Sequence, residues 1–232
     1  MSSLYLVRIP FDPVRLLGFA FANGITHEDE TFGYTLHAWL VALFGDKAPK
    51  PFRYFEHRRE LLAYAAHSAA DLLEHAQAFA SPPAWSALEA EGVMSKPMPT
   101  SWRAGQRLHL EVLTCPVSRK EGEEKDVYLR TLDRLGDKAP ARAEVYRAWF
   151  TRQWRGCVRF EHVELLGMRA RSRLLRRARN GANRLRMVER PQALFAADVE
   201  IADAHHFGAA LRRGIGRHRT FGFGMVLVGP PR

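Results

Sequence analysis

Tyr34 and His37 are the two side chains whose types and spacing best suit acid–base chemistry. In the string GYTLHAW they stand three residues apart, so a helix would present both on one face. An imidazole titrates near neutrality and can accept or donate a proton. We predict that His37 lies at the boundary between core and solvent. A lone histidine there is more often structural than catalytic, and Tyr34 beside it would also suit an interface.

The segment GIGRHRTFGFG, from Gly214 to Gly224, is the second candidate site. Its glycines would let the backbone approach a ligand and present N–H groups, and its basic side chains add positive charge. We predict a cradle for a phosphate backbone, made of Gly214, Gly216, Arg217, His218, Arg219, Gly222 and Gly224. The structural alternative is a helix C-cap followed by a bulged strand, which two glycines would satisfy.

An arginine-dense stretch between residues 169 and 190 is the third candidate. It holds nine arginines and one acid, Glu189, and so many like charges repel one another unless an anion lies among them. Because the arginine fork suits phosphate, we predict contact with nucleic acid. The alternative is a solvated or flexible arm. The arginines are Arg169, Arg171, Arg173, Arg176, Arg177, Arg179, Arg184, Arg186 and Arg190.

The charge of the whole chain favours the same partner. Its 232 residues carry 35 Lys and Arg against 25 Asp and Glu, a formal net charge of +10. Such an excess indicates a polyanion, nucleic acid more often than a membrane surface, although charge also serves solubility alone. The start of the chain has no leader pattern and no run suits a membrane span, so we expect a cytoplasmic protein without a membrane partner.

Other reactive residues give weak signals. Cys115 and Cys157 form no CxxC pair and are expected to be small buried side chains in a reducing compartment. The adjacent His205 and His206 lack a partner at metal-ligand spacing, so no metal site is predicted. The acids in HEDE, residues 27–30, precede a helix whose dipole explains them as well as catalysis would. Nucleotide-binding and hydrolase motifs are missing from the sequence, and no cofactor is expected.

The first half of the chain reads as strands and helices in the order β-α-β-β-α, with a weak last strand. LYLVRI is the first strand, and a loop runs from it through ANGITHEDE. The first helix follows, and Gly45 ends it. Its apolar stripe is Phe32, Leu36, Trp39, Leu40 and Leu43. PFRYFEH and ELLAYAAHS pair as strands, AADLLEHAQAF is a helix that ends at Ser81-Pro82-Pro83, and GVMSKPMP is the weak strand.

The second half repeats this order. The strand QRLHLEVLTCPV is followed by a charged exposed loop, SRKEGEEKD, and by the helix AEVYRAWFTRQW. CVRFEHVELLGMRA and QALFAADVEIAD are strands, AHHFGAALRRG is a short helix and FGFGMVLVG is the last strand. We therefore predict an α+β protein of two tandem ferredoxin-like domains, residues 1–99 and 100–232. A single larger α+β domain is the alternative.

These motifs resemble the CRISPR repeat-processing endoribonucleases, and most closely their CasE branch, which serves the type I-E Cascade complex. The C-terminal G-I-G-x-x-x-x-F-G-F-G, preceded by a strand, an acid and a short helix, is similar to the glycine-rich loop of that family. YTLH, residues 34–37, matches the Y-x-x-H of the branch in spacing and position. LEVLTCPV and ERPQALF resemble the start of its second half and the lead-in to its penultimate strand. A divergent relative serving another effector type, such as type IV, is the alternative.

The resemblance implies a metal-independent endoribonuclease that binds the CRISPR repeat hairpin and cuts precursor crRNA. The 2'-hydroxyl of the RNA would attack, leaving a 2',3'-cyclic phosphate and a 5'-hydroxyl. It implies His37 as acid or base, Tyr34 as a partner of the phosphate or nucleophile, and arginines that stabilise developing charge. It also implies a place in a Cascade-like effector complex. Two alternatives are a repeat-binding subunit without catalysis and a basic ferredoxin-like protein that binds other RNA or DNA.

Overall fold

A computed structural model describes residues 3–25, 29–177 and 185–231. The chain forms two compact units. The first comprises residues 1–100, 173–188 and 220–222, and the second comprises residues 101–172, 189–219 and 223–232. The sequence analysis assigned both of the short segments of the first unit, 173–188 and 220–222, to the second domain.

The first unit is an antiparallel four-stranded sheet with helices between its strands. Its elements, in chain order, are β1 (Tyr5–Pro10), α1 (Pro13–Ala22), α2 (Gly33–Phe44), β2 (Phe52–Phe55), β3 (Glu60–Ala65), α3 (Ala69–Phe79), α4 (Pro82–Ser86) and β4 (Met94–Pro97). The spatial order of the strands is β2-β3-β1-β4, with Val7 of β1 opposite Ala63 and Ser95. This is the ferredoxin-like arrangement that the sequence predicts.

Helix α2 fills much of the core of this unit. Leu36, Trp39, Leu40 and Leu43 of its predicted apolar stripe are at most 1% exposed, and Phe32 is half-buried at its N-cap. The indole N–H of Trp39 donates a hydrogen bond to the carbonyl of Ala84 at 2.9 Å. Because the stripe is buried, the opposite face of α2 turns outward. His37 is half-buried there, at the boundary that its spacing predicts.

The second unit repeats the topology with longer strands. Its elements are β5 (Arg107–Thr114), β6 (Val117–Lys120), β7 (Glu123–Asp126), α5 (Val127–Leu135), α6 (Arg142–Gln153), β8 (Val158–Arg177), β9 (Leu185–Ile201), α7 (Ala204–Arg213) and β10 (Val226–Gly229). The ends of β8 and β9 belong to the first unit. The main sheet has the order β10-β5-β9-β8, which corresponds to the order of the first unit. The α+β class with two ferredoxin-like units is confirmed.

Several local predictions were wrong. The predicted loop after β1 contains the helix α1, which Asp12 caps by accepting hydrogen bonds from two backbone N–H groups, so Tyr34 and His37 lie on the second helix. The Ser81-Pro82-Pro83 sequence ends α3 but also begins α4, since proline is tolerated in the first helical turn. SRKEGEEKD forms most of the hairpin β6–β7 rather than a loop, although its residues 119–123 are exposed as predicted. The helix α5 after it was missed, and the last strand begins at Val226 rather than at Phe221.

Cys115 and Cys157 are both buried, as expected, and are not joined in a disulfide. Among the residues that the structure describes, no helix is long and apolar enough to cross a membrane.

Replacing Trp39 by alanine tests whether α2 anchors the first unit. The indole is fully buried, so Trp39→Ala should lower the free energy of unfolding by about 3–5 kcal/mol, measured by urea denaturation. Phe79→Ala is the control, because Phe79 is 75% exposed and its loss should change stability by roughly 0.5 kcal/mol or less. Equal effects of the two substitutions would contradict the packing described.

Candidate active site on helix α2

A buried carboxylate fixes the start of α2. Asp29 is 6% exposed, and its Oδ2 accepts hydrogen bonds from the backbone N–H groups of Tyr34 at 2.7 Å and Thr35 at 3.5 Å. Its Oδ1 accepts one from the Thr31 hydroxyl at 2.9 Å. Burial raises the pKa of Asp29, and these hydrogen bonds offset only part of the rise. Asp29 belongs to the acidic string HEDE, for which the sequence leaves helix stabilisation and catalysis open, and its hydrogen bonds are those of a residue that stabilises a helix N-terminus.

Tyr34 and His37 share a pocket in the first unit with Phe221. The Phe221 ring stacks on the Tyr34 ring at 6.2 Å and 22°, and it meets the His37 ring edge-on at 5.7 Å and 85°. Arg176 also lines this open pocket of about 540 Å³. The pocket thus brings together an imidazole, a phenol and a guanidinium, which are the groups that the sequence analysis predicts for cleavage of a phosphodiester. Two apolar residues of α2, Ala38 and Val41, complete its lining.

The surroundings of His37 favour the neutral form of its imidazole. Burial lowers its pKa from the ordinary 6.5, and the positive charge of Lys50 lowers it further. A neutral imidazole has a lone pair that can accept a proton at neutral pH. The environment of His37 therefore favours the role of base.

Gly33, which the sequence analysis missed, makes the contact between α2 and Phe221 possible. A Cβ atom on Gly33 would lie 2.5 Å from the carbonyl oxygen of Phe221, closer than two such atoms can come. The position is buried in the first turn of the helix. Its only sequence signal is a glycine at the beginning of a helical pattern.

The backbone amides of the glycine-rich segment are partly used within the second unit. The N–H of Gly214 donates to the carbonyl of Ala210, and that of Gly224 donates to the carbonyl of Leu113, both at 2.7 Å. These two amides are not bare, which corrects the predicted mechanism of the phosphate cradle at Gly214 and Gly224. Their positive φ angles, 75° and 74°, have a structural reason. A Cβ on Gly224 would overlap the carbonyl oxygen of Ile215.

The other two glycines of the segment, Gly216 and Gly222, each lie beside an aromatic ring. Within the second unit a Cβ on Gly216 would lie 3.1 Å from the Trp149 ring, and within the first unit a Cβ on Gly222 would lie 3.5 Å from the Phe52 ring. Both residues have φ angles in the left-handed region, 75° and 85°. Close packing and turn geometry together account for glycine at position 216, whereas at position 222 the contact is an ordinary one and the φ angle alone favours glycine. RNA contact by their backbone stays a prediction.

Glu124 binds the basic side chains of this segment in the second unit. Its carboxylate is 8% exposed and accepts from Arg217 Nε at 2.6 Å and Arg190 Nε at 2.8 Å, and it lies 2.8 Å from His218 Nε2. Burial alone would raise the pKa of Glu124, but His218, Arg217 and Arg190 outweigh it and hold that pKa well below its ordinary value. Glu124 lies in the segment predicted as an exposed loop, so its role as a partner of these basic side chains was not predicted. No local pattern connects it with residues more than sixty positions away.

The remaining arginines of the prediction differ in their surroundings. Arg173 donates to Glu30 at 2.8 Å within the first unit, and Arg171 lies 3.8 Å from Glu189 within the second. Arg169 and Arg186 are exposed. The guanidinium of Arg219 donates to the carbonyl of Arg213 at 3.0 Å.

The described parts of the stretch, residues 169–177 and 185–190, lie in the strands β8 and β9. Arg179, Arg184 and the side chain of Arg177 lie outside the described residues. RNA contact by all of these arginines stays a prediction.

The adjacent histidines have a structural contact. His206 Nδ1 lies 2.8 Å from a carboxylate oxygen of Asp203, whose other oxygen accepts from the His206 backbone N–H at the start of α7. Within residues 3–25, 29–177 and 185–231, His, Cys, Asp and Glu side chains do not gather in threes that could hold a metal ion.

The chain is thus a protein of two tandem ferredoxin-like units that carries a histidine and a tyrosine on its second helix. The chain belongs to the family described as CRISPR associated protein, whose model matches residues 4–230. Among curated protein sequences no match is found.

Solved structures share the fold over nearly the whole chain. CRISPR endoribonuclease Cse3 bound to a 19-nucleotide RNA is 20% identical with a TM-score of 0.61, covering 98% of this chain and 100% of that one. Cas6e from Escherichia coli K-12 is 15% identical with a TM-score of 0.60, covering 97% and 99%. A chain of a CRISPR RNA-guided surveillance complex is 18% identical with a TM-score of 0.58, covering 97% and 99%. At these identities the likeness establishes the fold.

The low pKa of Glu124 leads to a prediction about stability. A carboxylate whose folded-state pKa is depressed contributes stability above its unfolded-state pKa, about 4.5, and loses the contribution as the pH falls further. Glu124→Gln should therefore lower the free energy of unfolding at pH 7 by about 3 kcal/mol, because it leaves the largely buried guanidinium of Arg190 without its counter-ion. Below pH 4.5 the difference from the unsubstituted protein should shrink.

Urea midpoints measured between pH 3 and 7 test this prediction. Glu123→Gln is the matched control, since the neighbouring side chain is 72% exposed and should matter little. A stability difference that stays constant over this range would show that the charge of Glu124 is not what stabilises the unit.

Proposed function

We propose that this protein is a metal-independent endoribonuclease that binds a CRISPR repeat hairpin and cuts the precursor RNA within its pocket on α2. The observation that carries the proposal is the shared pocket of Tyr34, His37 and Arg176, with an imidazole kept neutral by its surroundings. Membership of the CRISPR associated family supports the choice of RNA. A solved relative that is a CRISPR endoribonuclease bound to RNA supports it as well.

The chemistry follows from the groups in the pocket. His37 takes the proton of the 2'-hydroxyl, and the oxygen attacks the adjacent phosphorus. The bond from phosphorus to the 5'-oxygen breaks, and the leaving 5'-oxygen takes a proton from water while His37 releases its proton to the solvent. The products are a 2',3'-cyclic phosphate and a 5'-hydroxyl. Arg176 offsets the negative charge that develops on the phosphorane, and Tyr34 donates a hydrogen bond to a phosphate oxygen or orients the nucleophile.

We further propose that the protein retains the processed RNA as a subunit of a Cascade-like effector complex. A solved relative is a component of a CRISPR RNA-guided surveillance complex. An RNA stem in the A form presents phosphates and shape rather than readable base edges. The net charge of +10 and the exposed Arg169 and Arg186 suit such a ligand.

Cleavage by a His37 variant is the first test. A labelled repeat hairpin is incubated with the protein in EDTA, and we expect single-turnover cleavage that a 2'-deoxy substitution at the cleaved position abolishes. His37→Ala should slow cleavage by about 10²–10⁴-fold, the range of general acid–base catalysis, while affinity for the deoxy hairpin stays unchanged.

His57→Ala is the control for this test, because His57 is exposed in the same unit. Cleavage that requires magnesium, or that survives in His37→Ala, would contradict the mechanism. Binding of the hairpin without cleavage by the unsubstituted protein would favour the non-catalytic subunit instead.

The dependence of the cleavage rate on pH is the second test. With His37 as the base, its protonation on acidification removes activity, so the rate should fall as the pH decreases. Because burial and Lys50 lower the pKa of His37, the fall should lie below pH 6.5. Single-turnover rates between pH 4.5 and 8.5 measure it. A rate that increases on acidification would make His37 the acid and overturn the assignment as base.

A further inference from the structure

Phe221 is the shared neighbour of the two side chains proposed for chemistry. One ring face stacks with Tyr34 while the imidazole of His37 meets the same ring nearly at a right angle. Side chains on the surface of a helix move between rotamers, and Tyr34 and His37 are each only half-buried. A third ring that contacts both restricts these rotations together. The relative orientation of the phenol and the imidazole therefore depends on Phe221.

The backbone around Phe221 is built for close approach to α2. The Phe221 carbonyl occupies the space that a side chain on Gly33 would need. On the other side Gly222 has a φ of 85°, which favours glycine, and its backbone packs near the Phe52 ring. Residues 220–222 belong to the first unit together with α2. Two glycines thus set the position of one aromatic ring.

We propose that Phe221 is a positioning residue for the cleavage reaction, with its ring holding Tyr34 and His37 in their working orientation and Gly33 giving its backbone room. This inference rests on the proposed function. In this proposal Phe221 acts on the orientation of Tyr34 and His37 and not on the binding of RNA. Phe221 itself carries no group that could transfer a proton.

The charged and titratable groups near the imidazole come from three parts of the first unit. Tyr34 lies on α2, Lys50 follows that helix, and Arg176 lies on β8 and lines the same pocket. Burial is the largest cause of the low pKa of His37, and the Phe221 ring contributes to that burial. Its removal would admit water to the imidazole and raise the pKa toward 6.5, since water favours the charged form.

The experiment compares Phe221→Leu, Phe221→Tyr and Gly33→Ala. Leucine keeps an apolar side chain without the ring, tyrosine keeps the ring, and alanine at position 33 displaces Phe221 from the helix. Phe55→Leu is the matched control, because Phe55 is half-buried in the same unit and does not line the pocket. Three quantities are measured: the single-turnover rate against pH, the Kd for the uncleavable 2'-deoxy hairpin, and the pKa of His37 in the RNA-free protein by NMR.

We expect Phe221→Leu and Gly33→Ala to slow cleavage about 10–100-fold, the effect of small displacements of reacting groups. The Kd should stay within about twofold, since a positioning residue acts on the reaction and not on affinity. The acidic limb of the rate and the NMR pKa of His37 should both move to higher pH. Phe221→Tyr should restore the rate to within a fewfold, and Phe55→Leu should change nothing.

Three results would overturn the inference. They are unchanged rates and an unchanged His37 pKa in Phe221→Leu, a slower rate explained entirely by a weaker Kd, and a loss in Phe221→Tyr as large as in Phe221→Leu. If Phe221→Leu does not fold, as judged by thermal denaturation, Phe221→Tyr and Gly33→Ala carry the test. A protein that never cleaves RNA refutes the proposed function, while the NMR titration still decides whether Phe221 controls His37.

Discussion

The burial of one face of α2 determines what the opposite face can do. Trp39 and its apolar neighbours fix the rotation of the helix about its axis, because turning it would expose them. Asp29 fixes where the helix begins by accepting from the Tyr34 and Thr35 amides. Because the rotation and the start of α2 are both determined, the positions of Tyr34 and His37 on its outer face are determined too. The packing of the core therefore places the residues of the pocket. A substitution that shifts α2 in the core would also shift Tyr34 and His37.

The positive charge of the protein is partly neutralised within it. Glu124 binds Arg190, Arg217 and His218, and Glu30 binds Arg173. A guanidinium engaged by a buried carboxylate is oriented but contributes less net charge to a ligand. Net charge read from composition therefore overstates the charge available on any one surface. The count of nine arginines likewise overstates the charge that the described part of this stretch can offer to a ligand.

The sequence predicted the order of elements well and the long-range contacts poorly. The apolar stripe of α2 and the alternation of apolar and polar residues in the strands indicate which face of each element is buried. The order of these elements was enough to infer two ferredoxin-like units. The helix α1 was hidden, because it follows a strand ended by Pro10 and its exposed Val14 and Phe21, at 77% and 78%, blur the amphipathic pattern. At the candidate site, Tyr34, His37 and Arg176 were found by residue type and resemblance. Phe221, Gly33 and Glu124 act through partners far along the chain, and local periodicity carries no information about these.

The glycine-rich segment passes from one unit to the other and back within a few residues. Thr220, Phe221 and Gly222 count with the first unit, whereas Arg219 and Phe223 on either side count with the second. Inserting or deleting one residue there would move Phe221 from its place beside Gly33 or the buried Phe223 from the core of the second unit. The length of the stretch between Gly216 and Gly224 is therefore restricted together with its glycines and Phe221. Diversification there is open only to the remaining side chains.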